Sequence, residues 1–160
     1  MTTYYTLHES PVGELLLVCN GEAITDLHIT TGKYVPAVNS DWLRGERQPV
    51  LQQARRELDE YFTGRRRAFS LPLAPRGTDF QKQAWAALLT IPFGETRTYA
   101  QQAQTIGRPK AVRAVGTANG KNPIGIVVPC HRVIGANGTL TGYAGGLDNK
   151  AFLLSLEGVL

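Results

Sequence analysis

Cys130 and His131 stand side by side in the segment Pro129-Cys130-His131-Arg132-Val133. A thiol beside an imidazole is the pairing that makes a cysteine nucleophile, because only the thiolate attacks well and a neighbouring base can generate it. Pro129 stiffens the approach to the sulfur, and Arg132 adds to an electropositive setting. Cys19, the only other cysteine, ends an apolar run with no polar partner nearby and reads as packing. Spacing alone leaves Cys130 open between a reactive thiol and a packed one. Glu157 falls near the end of a helical pattern, where a negative charge is electrostatically unfavourable; it reads either as an ordinary helix-end acid or as one with a partner that compensates it. If Glu157 orients His131 and His131 activates Cys130, the three form the nucleophile, base and orienter set used by serine and cysteine hydrolases.

Two cysteines in 160 residues exclude a disulfide framework, and no group of His, Cys and Asp has the spacing of zinc ligands. Neither a metal nor a small-molecule cofactor is expected. Hydrophobic residues at 42% and charged residues at 19% describe an ordinary folded chain. The longest apolar runs, such as Ile124 to Val128, fall far short of a bilayer span, and the first residues form no signal stretch. A cytoplasmic protein without membrane association is expected. The net charge of +4 is unevenly spread, since residues 1–75 hold 8 basic and 9 acidic residues whereas residues 76–132 hold 8 and 2. A concentrated basic surface attracts phosphate, which brings nucleic acid forward as a partner, although a solvated basic face is the commoner meaning of such a count.

The elements that must hold these groups are legible from period and punctuation. Tyr4 to Glu9, Glu14 to Cys19 and Ala23 to Ile29 read as strands, with Asn20-Gly21 as the hairpin turn between the last two. Residues 30–48 lack periodicity and read as a loop. Leu51, Ala54, Leu58, Tyr61 and Phe62 recur at helical spacing between Pro49 and Gly64, after which Phe69, Leu71 and Leu73 alternate like a strand. Pro72, Pro75 and Gly77 mark a boundary between residues 1–76 and 77–160, where the charge balance also changes. Beyond it, Thr78 with Gln81 and Thr98 with Gln101 are capping boxes. The first opens a helix with an apolar face of Phe80, Ala84, Ala87, Leu88 and Ile91. The second opens a short helix that Gly107-Arg108-Pro109 separates from another, ending near Asn119: a helix-turn-helix pattern. Ala111, Ala114, Gly116 and Ala118 leave that last helix without bulk, which fits either close approach to a groove, with Arg113 extended, or a tightly packed core helix. An apolar strand from Ile124 to Val128, a Gly-rich loop from Gly135 to Gly146 and a helix from about Asp148 to Glu157 complete the chain. The fold class expected is α+β: a small antiparallel sheet with a helix, then a mainly helical domain of winged helix-turn-helix type that carries the active site.

Pro129-Cys130-His131-Arg132-Val133 resembles the active-site motif of the DNA alkylguanine alkyltransferases, also called methylated-DNA–protein cysteine methyltransferases. Thr78 to Gln81, Ile91 to Gly94, Arg113 to Gly116, Asn119 to Pro123 and Thr141 to Gly146 extend the resemblance over about Gly77 to Gly158. Residues 1–76 match only as a loosely similar β-rich domain. The resemblance implies direct-reversal repair, in which an alkyl group on O6 of guanine, or O4 of thymine, passes irreversibly to Cys130 after the base is flipped from the duplex. It implies that His131 and Glu157 raise the thiolate character of Cys130 through a water, and that Tyr99 helps expel the nucleotide and donates to the guanine ring. It implies further that Arg113 fills the vacated stack and that Asn122 organises the turn before the active site. Tyr143 and Ala144, in the loop to Gly146, then form one wall of the base pocket, where Ala144 lacks the hydroxyl that some relatives carry; Val133 is among the substrate- or DNA-binding residues, and Lys150 braces the active-site loop unless it is simply a solvated helix residue. The implied partner is double-stranded DNA containing alkylated guanine, met by a monomer, with clustering along DNA left open. A non-catalytic DNA-binding protein and a cysteine hydrolase are the competing classes.

Overall fold

A computed structural model describes residues 1–160. Strands β1 (Tyr4–Ser10), β2 (Gly13–Cys19), β3 (Ile24–Ile29) and β4 (Leu43–Arg44) form one sheet in the order β3-β2-β1-β4. The first three are antiparallel neighbours, and β4 runs parallel to β1. In the central strand β2 every residue from Leu15 to Cys19 is buried, which explains its unbroken apolar run where a half-exposed strand would alternate. The β2–β3 turn is held by Asn20, whose Oδ1 accepts from the Glu22 and Ala23 amides, each at 2.9 Å. Helix α1 (Pro49–Phe62) turns Leu51, Ala54, Leu58 and Tyr61 inward, into one core with Leu15 and Leu17.

Helix α2 (Asp79–Leu88) begins at the Thr78 capping box, with both reciprocal bonds formed. Its core face differs from the expected one: Trp85 is buried and donates to the Ala118 carbonyl at 2.9 Å, whereas Phe80 is only half-buried and lies under the Arg108 guanidinium. A short strand β5 (Arg97–Thr98) leads into α3 (Tyr99–Thr105), which carries the second capping box, and then α4 (Val112–Gly120). These two helices are joined by a buried amide pair, Gln102 and Asn119, with bonds of 2.9 and 2.7 Å in both directions. Helix α4 packs on one side only: Val115, Ala118 and Asn119 are buried while Val112, Arg113, Ala114 and Thr117 are exposed. After a single 3-10 turn at Cys130–Arg132, β6 (Val133–Ile134) pairs parallel to β5, and α5 (Leu147–Leu156) closes the chain.

Three expected features are different in the structure. Phe69, Leu71 and Leu73 form no strand; a lone bridge joins Leu73 to Ile24, and prolines at 72 and 75 remove the donors a ladder needs. Ile124 to Val128 is likewise not a strand. It touches the sheet through one bridge, Leu27 to Ile124, then curls, with Val127 and Val128 amides bonding back to Gly125 and Ile124 carbonyls and Ile126 at φ 70°. Its residues are apolar because they are buried, a property that does not discriminate strand from packed coil. Conversely, β4 lies within the stretch read as loop, too short at two residues for any period to register.

Candidate active site

The sulfur of Cys130 sits at the start of the 3-10 turn, half-buried, and accepts from Asn122 Nδ2 at 3.3 Å. That nitrogen also donates to the Val128 carbonyl at 2.7 Å, while Asn122 Oδ1 accepts from the Ile124 amide at 3.0 Å. One side chain therefore closes the turn after α4 and points a donor at the thiol. Burial pushes the Cys130 thiol up, and the Asn122 donor and the Lys150 charge pull it back.

His131 is wholly buried, with Nε2 at 2.8 Å from Glu157 Oε2. Glu157 caps the end of α5, where the helix dipole disfavours it, and it has three partners. Besides His131, Arg132 clamps both oxygens, Nε to Oε1 at 2.7 Å and Nη2 to Oε2 at 3.0 Å, and Tyr61 of α1 donates to Oε2 at 2.5 Å. Burial alone would raise this carboxyl, but the His131 and Arg132 bonds, with Tyr61 behind them, hold it down at about 2. An ionised acceptor keeps the imidazole proton on Nε2. Nδ1, buried and without a hydrogen-bond partner in the protein, is then the basic nitrogen. Burial also keeps the ring neutral, against the pull of Glu157.

Lys150 is fully buried, and its ammonium donates to the carbonyls of Val133 at 2.6 Å and Thr141 at 2.7 Å. The solvated-helix alternative is thereby corrected: the side chain clamps β6 to the Gly-rich loop. Burial brings its pKa down to about 8, with the Cys130 charge acting against that.

Cys130, Tyr99, Tyr143 and Ala144 line one cavity of about 190 Å³ together with Gly116 and Gly120 of α4. Asn122 lines an adjoining smaller recess with Cys130 and Tyr143. The Tyr99 hydroxyl donates to the Thr141 carbonyl at 3.0 Å, so the loop and α3 meet across the mouth. Gly145 is required here, since a Cβ would come within 2.6 Å of Ile29 and 2.8 Å of the Tyr143 ring. Of the sequence-derived residues, His131, Lys150 and Glu157 line neither recess, and two more lie outside both. Val133 is buried in the core and lines neither recess, and Arg113 projects from the exposed face of α4. No group of three or more His, Cys, Asp or Glu is placed to hold a metal ion.

Sequence reasoning missed Tyr61 and Arg132 as partners of Glu157, and it missed Lys33 and Tyr34, which line the cavity from the loop after β3. That loop is pinned to the cavity wall by the Lys33 amide on the Ala144 carbonyl at 2.8 Å. A Cβ on Gly32 would lie 2.5 Å from the same oxygen. Arg132 was visible as a charge next to the thiol; nothing in the loop announced Tyr34.

A thiol held by an amide and accompanied by a buried histidine–carboxylate pair, in a chain that carries a helix-turn-helix, points to a class: DNA-binding proteins with a candidate cysteine nucleophile. Comparison with known proteins narrows it. Models of two domains of the 6-O-methylguanine DNA methyltransferases match, the ribonuclease-like domain over residues 3–75 and the DNA binding domain over residues 79–159. The chain belongs to that family. It is 53% identical over 155 residues to the methylated-DNA–protein-cysteine methyltransferase of Methanosarcina acetivorans, covering 97% of this chain and 98% of that one. It is 48% identical to the constitutive enzyme of that name from Bacillus subtilis, covering 96% and 94%. Among solved structures, the Mycobacterium tuberculosis O6-methylguanine methyltransferase superposes with a TM-score of 0.88 at 47% identity, covering 98% and 93%. The structure of the same organism's protein in complex with DNA also has a TM-score of 0.88, covering 96% and 92%.

Proposed function

We propose that this protein repairs DNA by direct reversal, moving the alkyl group from O6 of guanine, and from O4 of thymine, onto its own Cys130. The observation that carries the reading is that Cys130 lines one cavity together with Tyr99, Tyr143 and the Gly116, Asn119 and Gly120 positions of α4. Duplex DNA lies against the exposed face of α4, in the segment richest in basic residues. Its affinity comes mainly from phosphate contacts and therefore falls with salt. Arg113 enters the stack vacated by the damaged base, offsetting a flipping cost of roughly a few kcal/mol. Tyr99 releases the Thr141 carbonyl and donates to the guanine ring.

An intervening water carries the thiol proton to His131 Nδ1, which has no partner within the protein, and Asn122 and Lys150 stabilise the thiolate. The thiolate attacks the alkyl carbon; the S–C bond forms as the C–O6 bond breaks, and the bonding pair stays on the guanine oxygen. The proton removed from the thiol ends on the guanine ring, so both products are neutral. The thioether has no hydrolytic exit, and each molecule acts once. Residues 77–160 are the unit that holds DNA and the thiol, and residues 1–76, the other unit, share its core. The protein works as a cytoplasmic monomer.

Substitutions separate binding from transfer. Cys130→Ala retains salt-dependent binding to a duplex with one O6-methylguanine and loses all transfer, whereas Arg113→Ala weakens binding by about tenfold, the cost of one charged contact, and slows transfer. Methyl transfer that persists in Cys130→Ala removes that residue as the acceptor.

A further inference from the structure

The buried face of α1 bears on the active site through one hydroxyl. Tyr61 is 1% exposed and reaches Glu157 across 96 residues of sequence, with an O–O separation of 2.5 Å. A buried tyrosine needs an acceptor, but this one shares Oε2 with the His131 Nε2–H, at 2.8 Å, while a carbonyl would have served a purely structural need. Its ring cannot turn away, because it packs against Phe62, Phe69 and Phe93 with centroids 5.2, 5.4 and 6.3 Å off. Phe93 in turn lies under the Arg132 guanidinium.

We infer that Tyr61 is a positioning residue for the acid–base pair: its hydroxyl competes with His131 for one carboxylate oxygen, so the N-terminal half of the chain sets how tightly Glu157 holds the imidazole. The inference rests on the functional reading above. The groups facing the pair are Arg132 from the 3-10 turn, Lys150 from α5, Cys130 and Tyr143 from the cavity side, and Tyr61 from α1. Among the donors to Glu157, Tyr61 alone is contributed by residues 1–76. Removing its hydroxyl returns charge density to Oε2, strengthens the bond to His131 and makes the imidazole easier to protonate. A better-donating phenol does the reverse.

The test uses the full chain with ¹⁵N-labelled histidine and either Tyr61→Phe or 3-fluorotyrosine at position 61, which preserve the ring packing. The His131 Nε2–H resonance is expected to move downfield in Tyr61→Phe and upfield with fluorotyrosine, while signals from His8 and His28, which pair with Asp59 and Asp26, stay fixed. In the transfer assay the acid limb of the rate profile should rise by about half a pH unit in Tyr61→Phe and fall with fluorotyrosine. An unmoved resonance, or a loss of rate that is uniform across pH, overturns the inference. If the wild-type protein transfers no methyl, the functional reading fails, and the resonance still decides whether Tyr61 and His131 are coupled.

Discussion

At the scale of single residues, a carboxylate kept charged by its donors stands beside a neutral imidazole, next in the chain to a thiol that burial pushes up and the Lys150 charge pulls back. Lys150 makes this testable through pH. Its charge favours the Cys130 thiolate, and its pKa lies at about 8. Rising pH helps to ionise the thiol until Lys150 loses its proton, after which that help disappears. The wild-type transfer rate should therefore climb from pH 6 and rise less steeply above about pH 8, where Lys150 loses its proton. Lys150→Met should transfer about tenfold more slowly at neutral pH, the equivalent of roughly 1.4 kcal/mol, and its profile should lack the inflection near pH 8. An inflection that survives unchanged in Lys150→Met would assign it to another group.

At the scale of elements, the helix-turn-helix is held from inside by the Gln102–Asn119 pair, which also reaches α2 through the Ala84 carbonyl at 3.0 Å. Gln102→Ala leaves the buried Asn119 amide without its partners, and urea unfolding should show a loss of roughly 2 kcal/mol. A loss below about 0.5 kcal/mol would mean that the amides rearrange without consequence. Elements whose signals are local were legible in the sequence: both capping boxes, the Asn20 turn and the period of α1 depend on residues within one or two turns of each other. Ile124 to Val128 was misread because burial on all sides looks alike in a strand and in a coil that curls under the sheet. Cys130 and His131 were legible because they are neighbours in a distinctive motif. Tyr61, Arg132 and Lys150 differ in that respect, since their roles depend on partners 96, 25 and 17 residues away, and composition at either end says nothing about such pairing.

At the scale of the whole molecule, one cluster of 21 buried residues includes Leu15, Leu17 and Leu58 from the N-terminal half and Trp85, Val128, Val133 and Leu153 from the rest. Residues 1–76 are thus more than an appendage: their loop supplies Lys33 and Tyr34 to the cavity, and α1 supplies Tyr61 to Glu157. On the proposed function, this assembly consumes itself in a single transfer. Intact mass after incubation with excess duplex carrying one O6-methylguanine, followed by peptide mapping, tests it most directly. One added methyl group per protein is expected, on the peptide containing Cys130, with no further gain over time. An unchanged mass with DNA binding intact, or a methyl group mapped to Cys19, would contradict it.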